Sequence, residues 1–220
     1  MNILITGASR GIGYETARHL SARHKVIAIS RSADTHKQAR VISISYDFEN
    51  GNITKELLPQ IKKHFNKVDV LINNAATFIK KPFGEISQAE VEKVFRVNVF
   101  SIAELTQAVL PMMKKGHVVN IASMGAIQGS VKFSGLSVYS SSKGALLTLT
   151  ECLAEEYKEK NISFNAIAFG AVQTEMLAEA FPHFKAPITA KEAAEFVAQF
   201  AITGRTYFNG KILQMALSTP

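Results

Sequence analysis

Short apolar runs alternate with longer amphipathic stretches along the whole chain, and this alternation limits the possible folds more than any other feature. The runs are Ile3 to Ile5, Val26 to Ile29, Val41 to Ile44, Val68 to Ile72, Val118 to Ile121, Ile162 to Ala168 and Ile212 to Met215. Runs of this kind are expected of strands in a parallel sheet covered on both faces, where neither side of the strand meets water. Between them, Ser87 with Glu90 and Thr189 with Glu192 have the spacing of capping boxes, in which a hydroxyl and a carboxylate satisfy free amides at a helix start. Long helices should follow each. The order predicts right-handed crossovers and an α/β, doubly wound parallel sheet with helices on both faces, whose ligands sit at the carboxyl ends of the strands.

The first such end carries Thr6-Gly7-Ala8-Ser9-Arg10-Gly11-Ile12-Gly13, placed between a strand and a helix. Glycines there permit a tight turn and let backbone amides approach a pyrophosphate at the positive end of the helix, the arrangement of Rossmann-type sheets. Glycines also serve ordinary turns, so the strand-turn-helix setting is what strengthens this reading. The chain has 220 residues, enough for one well-buried core and too few for a separate catalytic domain. No repeat or linker divides it, so residues 1–220 are expected to form one domain in which binding and chemistry share the fold.

The 47% hydrophobic and 20% charged content is that of a compact globular chain. A formal charge of +7 is compatible with a nucleic acid, an acidic carrier or a polyphosphate cofactor, but the cations are scattered. Pairs such as Lys62-Lys63, Lys80-Lys81 and Lys114-Lys115 suit solvated helix ends, and no nucleic-acid partner is expected. The opening apolar run is too short for a signal peptide or a membrane span. The lone Cys152 cannot form an internal disulfide, and no His or Cys cluster has metal-ligand spacing, so a metal-free, cytoplasmic protein is expected.

The T-G-x-x-x-G-x-G loop, Asn73-Asn74-Ala75, Ser123, and Tyr139-Ser140-Ser141-Ser142-Lys143 together resemble the short-chain dehydrogenases/reductases, in that family's order from Met1 to about Thr174. The likeness is to NADP-preferring members such as the 3-oxoacyl-acyl-carrier-protein reductases and related carbonyl reductases. It implies hydride transfer between a nicotinamide cofactor and a carbonyl or alcohol. Gly7, Ser9, Arg10, Gly11, Ile12 and Gly13 would hold the pyrophosphate. Ser30 and Arg31 stand where NAD-preferring members commonly carry an acidic residue, and Arg31 with Arg10 offers planar cations to a ribose 2′-phosphate. NADP(H) is therefore favoured over NAD(H), although Asp34 lies close by in sequence. Asp47 resembles an adenine-contacting Asp, and equally a common turn former. Asn73 would tie adjacent strands and line the adenosine site, Ala75 would adjoin it, with Ala76 where Gly is usual, and Val172 and Thr174 would meet the nicotinamide carboxamide and phosphate region.

Tyr139 and Lys143 are four residues apart in a segment continuing through Ala145, Leu146, Leu149, Cys152 and Leu153, so both should lie on one helix face. By resemblance Tyr139 is the acid/base, and a nearby ammonium together with an oxidised nicotinamide would favour its phenolate. Lys143 would also hold the nicotinamide ribose. Ser123 would donate to the substrate oxygen, and Asn98 would hold a water linking Lys143 to solvent; as a mid-helix Asn it could instead bend the helix. Two departures stand out. Ser123 and Tyr139 are sixteen positions apart where the family has about thirteen, a difference that a loop insertion near Gln128 to Gly135 would absorb. Phe169 also replaces the family's Pro.

Glu175 to Pro187 is the expected substrate lid, with Met176, Leu177, Phe181 and Phe184 either walling an apolar pocket or serving as ordinary helix packing. Candidate substrates are an acyl-carrier 3-oxo thioester, a small ketone or an aldehyde, and the resemblance implies a homodimer or homotetramer. A different class of function is a non-catalytic NADP(H)-sensing protein on the same fold, which has no need to retain Ser123, Tyr139 and Lys143 together.

Overall fold

The computed structural model describes residues 1–32 and 36–217. Its strands are β1 (Asn2–Thr6), β2 (Lys25–Ser30), β3 (Val41–Ser45), β4 (Val70–Asn73), β5 (Gly116–Ser123), β6 (Ile162–Phe169), β7 (Val172–Gln173), β8 (Ile188–Thr189) and β9 (Ile212–Met215). The helices are α1 (Gly11–Ser21), α2 (Leu58–His64), α3 (Gln88–Phe95), α4 (Ser101–Val109), α5 (Ser137–Glu156), α6 (Glu175–Ala180) and α7 (Ala190–Thr203). Seven strands form one parallel sheet in the order β3-β2-β1-β4-β5-β6-β9, while β7 and β8 pair separately. This is the doubly wound Rossmann-like sheet expected from the alternation.

Each central strand is apolar on both sides because each side has its own helical layer. Ile3 and Ile5 pack with Ala17 and Leu20 of α1 and with Ala193, Val197 and Ala201 of α7. Leu4, between them, points the other way, into a core with Leu57, Ile61, Leu105 and Val109. The strand order reverses at β1, which has β2 on one side and β4 on the other. The crevice this reversal opens at the carboxyl ends is where an open α/β sheet takes its ligand.

Both capping boxes are present, at Ser87 with Glu90 and at Thr189 with Glu192. The helix after Ser87 is not one smooth α-helix: α3 passes through a π-helical turn, Arg96–Phe100, before continuing as α4. Asn98 lies in that turn. On α5 the buried side carries Ser142, Lys143, Leu146, Leu147, Thr150 and Ala154, whereas Cys152 is exposed and Ala145 and Leu149 are only partly covered. Hydropathy had pointed to a slightly rotated face. The polar residues are buried because each is paired: Ser142 donates to the Tyr139 carbonyl and Thr150 to the Leu146 carbonyl.

Candidate active site

The loop from β1 into α1 is the most constrained backbone of the site. Gly7 and Gly11 have φ of +66° and +57°, the left-handed region that glycine enters without steric cost. A Cβ on Gly13 would come within 2.3 Å of the Gly7 carbonyl oxygen, so the third glycine lets helix and turn approach each other. The loop is anchored from β4: the Thr6 hydroxyl accepts the amides of Asn74 and Ala75, and the Asn74 side chain donates to the carbonyls of Thr6 and Gly7. Thr6 and Asn74 were not among the expected site residues, although both lay inside the quoted motifs. Arg10, at the N-cap of α1, makes no side-chain cap and the first turn has no acidic residue of its own, while the Glu175 carboxylate approaches Gly11 from the far side of the turn.

One continuous cleft of about 440 Å³ runs from this loop to α5. Gly7, Ser9, Arg10, Gly11, Ile12, Arg31, Asp47, Ala75, Ser123, Tyr139, Lys143, Val172 and Thr174 all line it. Three expected residues do not. Gly13 packs beneath the turn. Asn73 is fully buried, donating to Asn120 and Thr106, so it ties β4 to β5 and α4 without lining the adenosine end. Asn98 is also fully buried: its side chain accepts the Thr77 amide and donates to the Thr77 carbonyl and the Ser142 hydroxyl, which commits both amide protons to protein partners.

At the outer end, Arg31 is exposed at the end of β2, and Ser30 turns its hydroxyl onto the Ser32 carbonyl. Asp47 behaves as the turn former: its carboxylate accepts the Glu49 amide and the Asn50 side chain, which with nearby Arg31 hold its pKa below the usual carboxylate range. Asp34 lies outside the described residues. The amide-lined, uncapped turn and the two exposed guanidinium groups suit a dinucleotide with an additional phosphate.

At the inner end, Ser123 closes β5 and Tyr139 sits in the first turn of α5. The longer connection between them is held by its own bonds: Ser130 donates to the Met124 and Ile127 carbonyls, and Gly135 accepts the Lys81 amide. Ser123 and Tyr139 therefore meet despite their spacing. The Ser123 oxygen accepts the Gly125 amide at 3.2 Å, leaving its proton to donate. Burial pushes the Tyr139 phenol up to about 12, opposed by the neighbouring Ser123 hydroxyl. Lys143 is buried, its pKa lowered to about 8 by burial, and its ammonium donates to the Ile121 carbonyl at 2.8 Å. Among the protein groups burial dominates at Tyr139, and the Lys143 ammonium is turned to the strand; the expected easing toward phenolate also involved the charge of an oxidised nicotinamide.

Phe169 pairs with Ser123 on β5 and with Met215 on β9. Val172 is buried in β7, and the Thr174 oxygen caps α6 by accepting the Leu177 amide. Of the expected lid residues, Met176, Leu177 and Phe181 line the cleft and Phe184 does not. Phe78 and Phe133 also line it and were missed, since isolated aromatic residues in loops carry no periodic signal.

The short chain dehydrogenase family model matches residues 1–184. The chain belongs to the short-chain dehydrogenase family. It is 34% identical over 183 residues to the ketoacyl reductase HetN of Nostoc sp., covering 77% of this chain and 63% of that protein, so it spans under two thirds of that relative. It is 31% identical over 234 residues to the 3-oxoacyl-[acyl-carrier-protein] reductase FabG of Escherichia coli, covering 96% and 94%. A Burkholderia cenocepacia short chain dehydrogenase in complex with NADP superposes with a TM-score of 0.84 at 25% identity, covering 97% and 95% of the two chains. A 4-hydroxyisoleucine dehydrogenase complexed with NADH shares the fold, with a TM-score of 0.86 at 24% identity over 98% and 96%. Among the described residues no helix is long and apolar enough to cross a membrane.

Proposed function

We propose that the chain is an oxidoreductase that transfers hydride between NADP(H) and a carbonyl or alcohol substrate, with Tyr139 exchanging the proton. The observation that carries this reading is the meeting of Ser123 and Tyr139 at one end of a cleft whose other end is the glycine turn. The nicotinamide cofactor, when bound, supplies or accepts the hydride.

In reduction, Tyr139 gives its phenolic proton to the carbonyl oxygen, and Ser123 donates a hydrogen bond to that oxygen as negative charge develops. A phenol held protonated by burial enters this direction ready to act, and solvent restores its proton afterwards. In oxidation the same group acts from its ionised form, taking the alcohol proton. Lys143 places an ammonium beneath the reacting end, and Asn98 acts as a positioning residue by fixing the Thr77 backbone and Ser142 of α5. Gly7, Ser9, Gly11 and Ile12 cradle the pyrophosphate, with Gly13 and Asn73 shaping the site from below. Asp47, Ala75, Val172 and Thr174 bound the remaining cofactor surface.

The preference for NADP(H) rests on Arg10 and Arg31, on the absence of a carboxylate at Ser30, and on the NADP held by the Burkholderia relative. The activity named for the E. coli relative makes a 3-oxoacyl thioester one candidate substrate, beside small ketones and aldehydes. A single domain across 1–220 is supported by one sheet reaching from Asn2 to Met215. A homodimer or homotetramer is supported by half-exposed Phe100, which ends the π-helical turn, and light scattering decides it. A cytoplasmic setting rests on the lone Cys152.

The test is NADPH oxidation against a panel of neutral carbonyl compounds. Turnover of one or more supports the reading. Tight NADPH binding with no transfer to any of them would leave the cofactor-sensing protein as the better account.

A further inference from the structure

The reacting end of the cleft is walled by aromatic rings. Phe78 stands edge-on to the Tyr139 ring, centroids 6.4 Å apart. Phe133 meets Phe181 at 5.6 Å, also edge to face. These residues come from three separate segments: the stretch after β4, the long connection between Ser123 and Tyr139, and the residue that ends α6. The extra length of the second segment thus has a structural product. It carries Phe133 across to the lid.

The lid is also fastened from outside. The Lys80 ammonium lies 4.1 Å from the centre of the Phe181 ring and donates to the Ala180 carbonyl. This cation is engaged with the lid and does not line the cleft. Among the described residues that do line it, the cations are Arg10, Arg31 and Lys93, which belong to the glycine turn and the outer end, and Lys143, which is bonded to Ile121. Lys93 is moreover paired with Glu49 at 3.0 Å. Of the two lid carboxylates that line the cleft, Glu175 lies beside Gly11 at the glycine turn and Glu179 is exposed, and the lid brings no cation to it.

We propose that this aromatic wall, with no lid cation behind it, selects carbonyl compounds whose larger substituent is uncharged and apolar, aryl above small alkyl, and rejects those with a carboxylate or phosphate beside the carbonyl. An aryl group fills the space between Phe78, Phe133 and Phe181 with edge and face contacts. A carboxylate there gives up water for aromatic surface, and no lid residue that lines the cleft brings a cation to it. The inference rests on reading the site as carbonyl-reducing, and it adds the substrate class.

The experiment compares NADPH-dependent reduction of methyl benzoylformate with benzoylformate, and of methyl pyruvate with pyruvate. Each neutral ester should exceed its acid in kcat/KM by about 100-fold or more, and the aryl ester should exceed the methyl one. Phe133→Ala and Phe181→Ala should each cut the aryl-over-methyl ratio by about tenfold, raising KM for the aryl ester more than they lower kcat. Acids reduced as fast as their esters, or an aryl-over-methyl ratio unmoved in both variants, overturns the proposal. Failure of the underlying reading is told apart by equilibrium binding of benzamide and benzoate to the NADPH-loaded protein. If none of the four carbonyls turns over, tighter benzamide binding that weakens in Phe181→Ala still upholds the selectivity, and equal or tighter benzoate binding overturns it.

Discussion

The Lys143 ammonium donates a 2.8 Å hydrogen bond to the carbonyl oxygen of Ile121, two residues before Ser123 on β5. The bond sets α5 against β5, and one helical turn earlier it leaves Tyr139 beside Ser123. The Tyr-Lys spacing is thus a clamp as well as a pair of chemical groups. Tyr139→Phe keeps the clamp and removes the transferable proton, so single-turnover hydride transfer should fall by roughly 100-fold or more while NADPH affinity stays nearly unchanged. Lys143→Ala should weaken both. Wild-type transfer by Tyr139→Phe would remove Tyr139 from the mechanism.

The pH dependence of reduction should report Lys143 rather than Tyr139. The phenol, pushed up to about 12, stays protonated across the neutral range, whereas Lys143, lowered to about 8, loses its charge first. The rate should be level at neutral pH and decline as pH rises through about 8. Lys143→Arg should carry that decline upward, because a guanidinium stays charged. A rate profile with no descent below pH 10 contradicts the assignment.

Cofactor preference should turn on Arg31. Arg31→Asp places a carboxylate at the end of β2, where a 2′-phosphate would be repelled and ribose hydroxyls accepted. Equilibrium titration should show wild type binding NADPH more tightly than NADH and the variant reversing that order. Unchanged preference in the variant, or equal affinities in the wild type, would refute it.

Gly13→Ala should damage the glycine turn from beneath, through residues that line the cleft. The added methyl would meet the Gly7 carbonyl at 2.3 Å and the Asn74 amide nitrogen at 2.4 Å, so the turn or α1 must shift. Overpacking of this kind costs about 1–3 kcal/mol. Denaturant unfolding should show that loss, with weakened NADPH binding; a variant matching wild type in both would show that the turn has room to relax.

His117 should make the fold acid-sensitive. It is fully buried, with Nδ1 at 3.0 Å from the Ala201 carbonyl and Nε2 facing the Asn165 side-chain amide at 2.9 Å. The Lys211 amide donates to Asn165 Oδ1, fixing that amide so that Asn165 donates to His117. Nδ1 then carries the proton, and the ring must be neutral. Burial lowers its pKa to about 4. The unfolded chain therefore takes up a proton near 6.5 that the folded chain refuses until about 4, and stability should fall as pH drops through that window. The loss is of order 3 kcal/mol. Urea unfolding across the window should show it, with a shallower slope in His117→Asn, and equal slopes would assign the effect elsewhere.

Much of this architecture was legible in the residues alone. Strands buried on both sides must be apolar throughout, so the seven runs stood out. Ser87 with Glu90 and Thr189 with Glu192 are local devices that act within one helical turn. The glycine turn was legible for the same reason, because only glycine tolerates the backbone of Gly7 and Gly11 and the close approach at Gly13. Tyr139 and Lys143 shared a face by helical spacing.

What the sequence left open were matters settled by partners distant along the chain. Asn98 and Asn73 are polar residues whose placement depends on Thr77 and Ser142, and on Asn120 and Thr106, so only the packed structure shows that both face inward and away from the cleft. The buried face of α5 was misjudged for a related reason: hydropathy ranks Cys152 above Ser142 and Thr150, but hydroxyls bonded to backbone carbonyls lose their cost of burial. The burial that raises the Tyr139 phenol and lowers the Lys143 ammonium comes from all the atoms packed around them, which helical spacing does not reveal. The pairing of Phe78 with Tyr139 and of Phe133 with Phe181 along the cleft likewise belongs to the tertiary structure, since nothing in their local sequence brings these segments together.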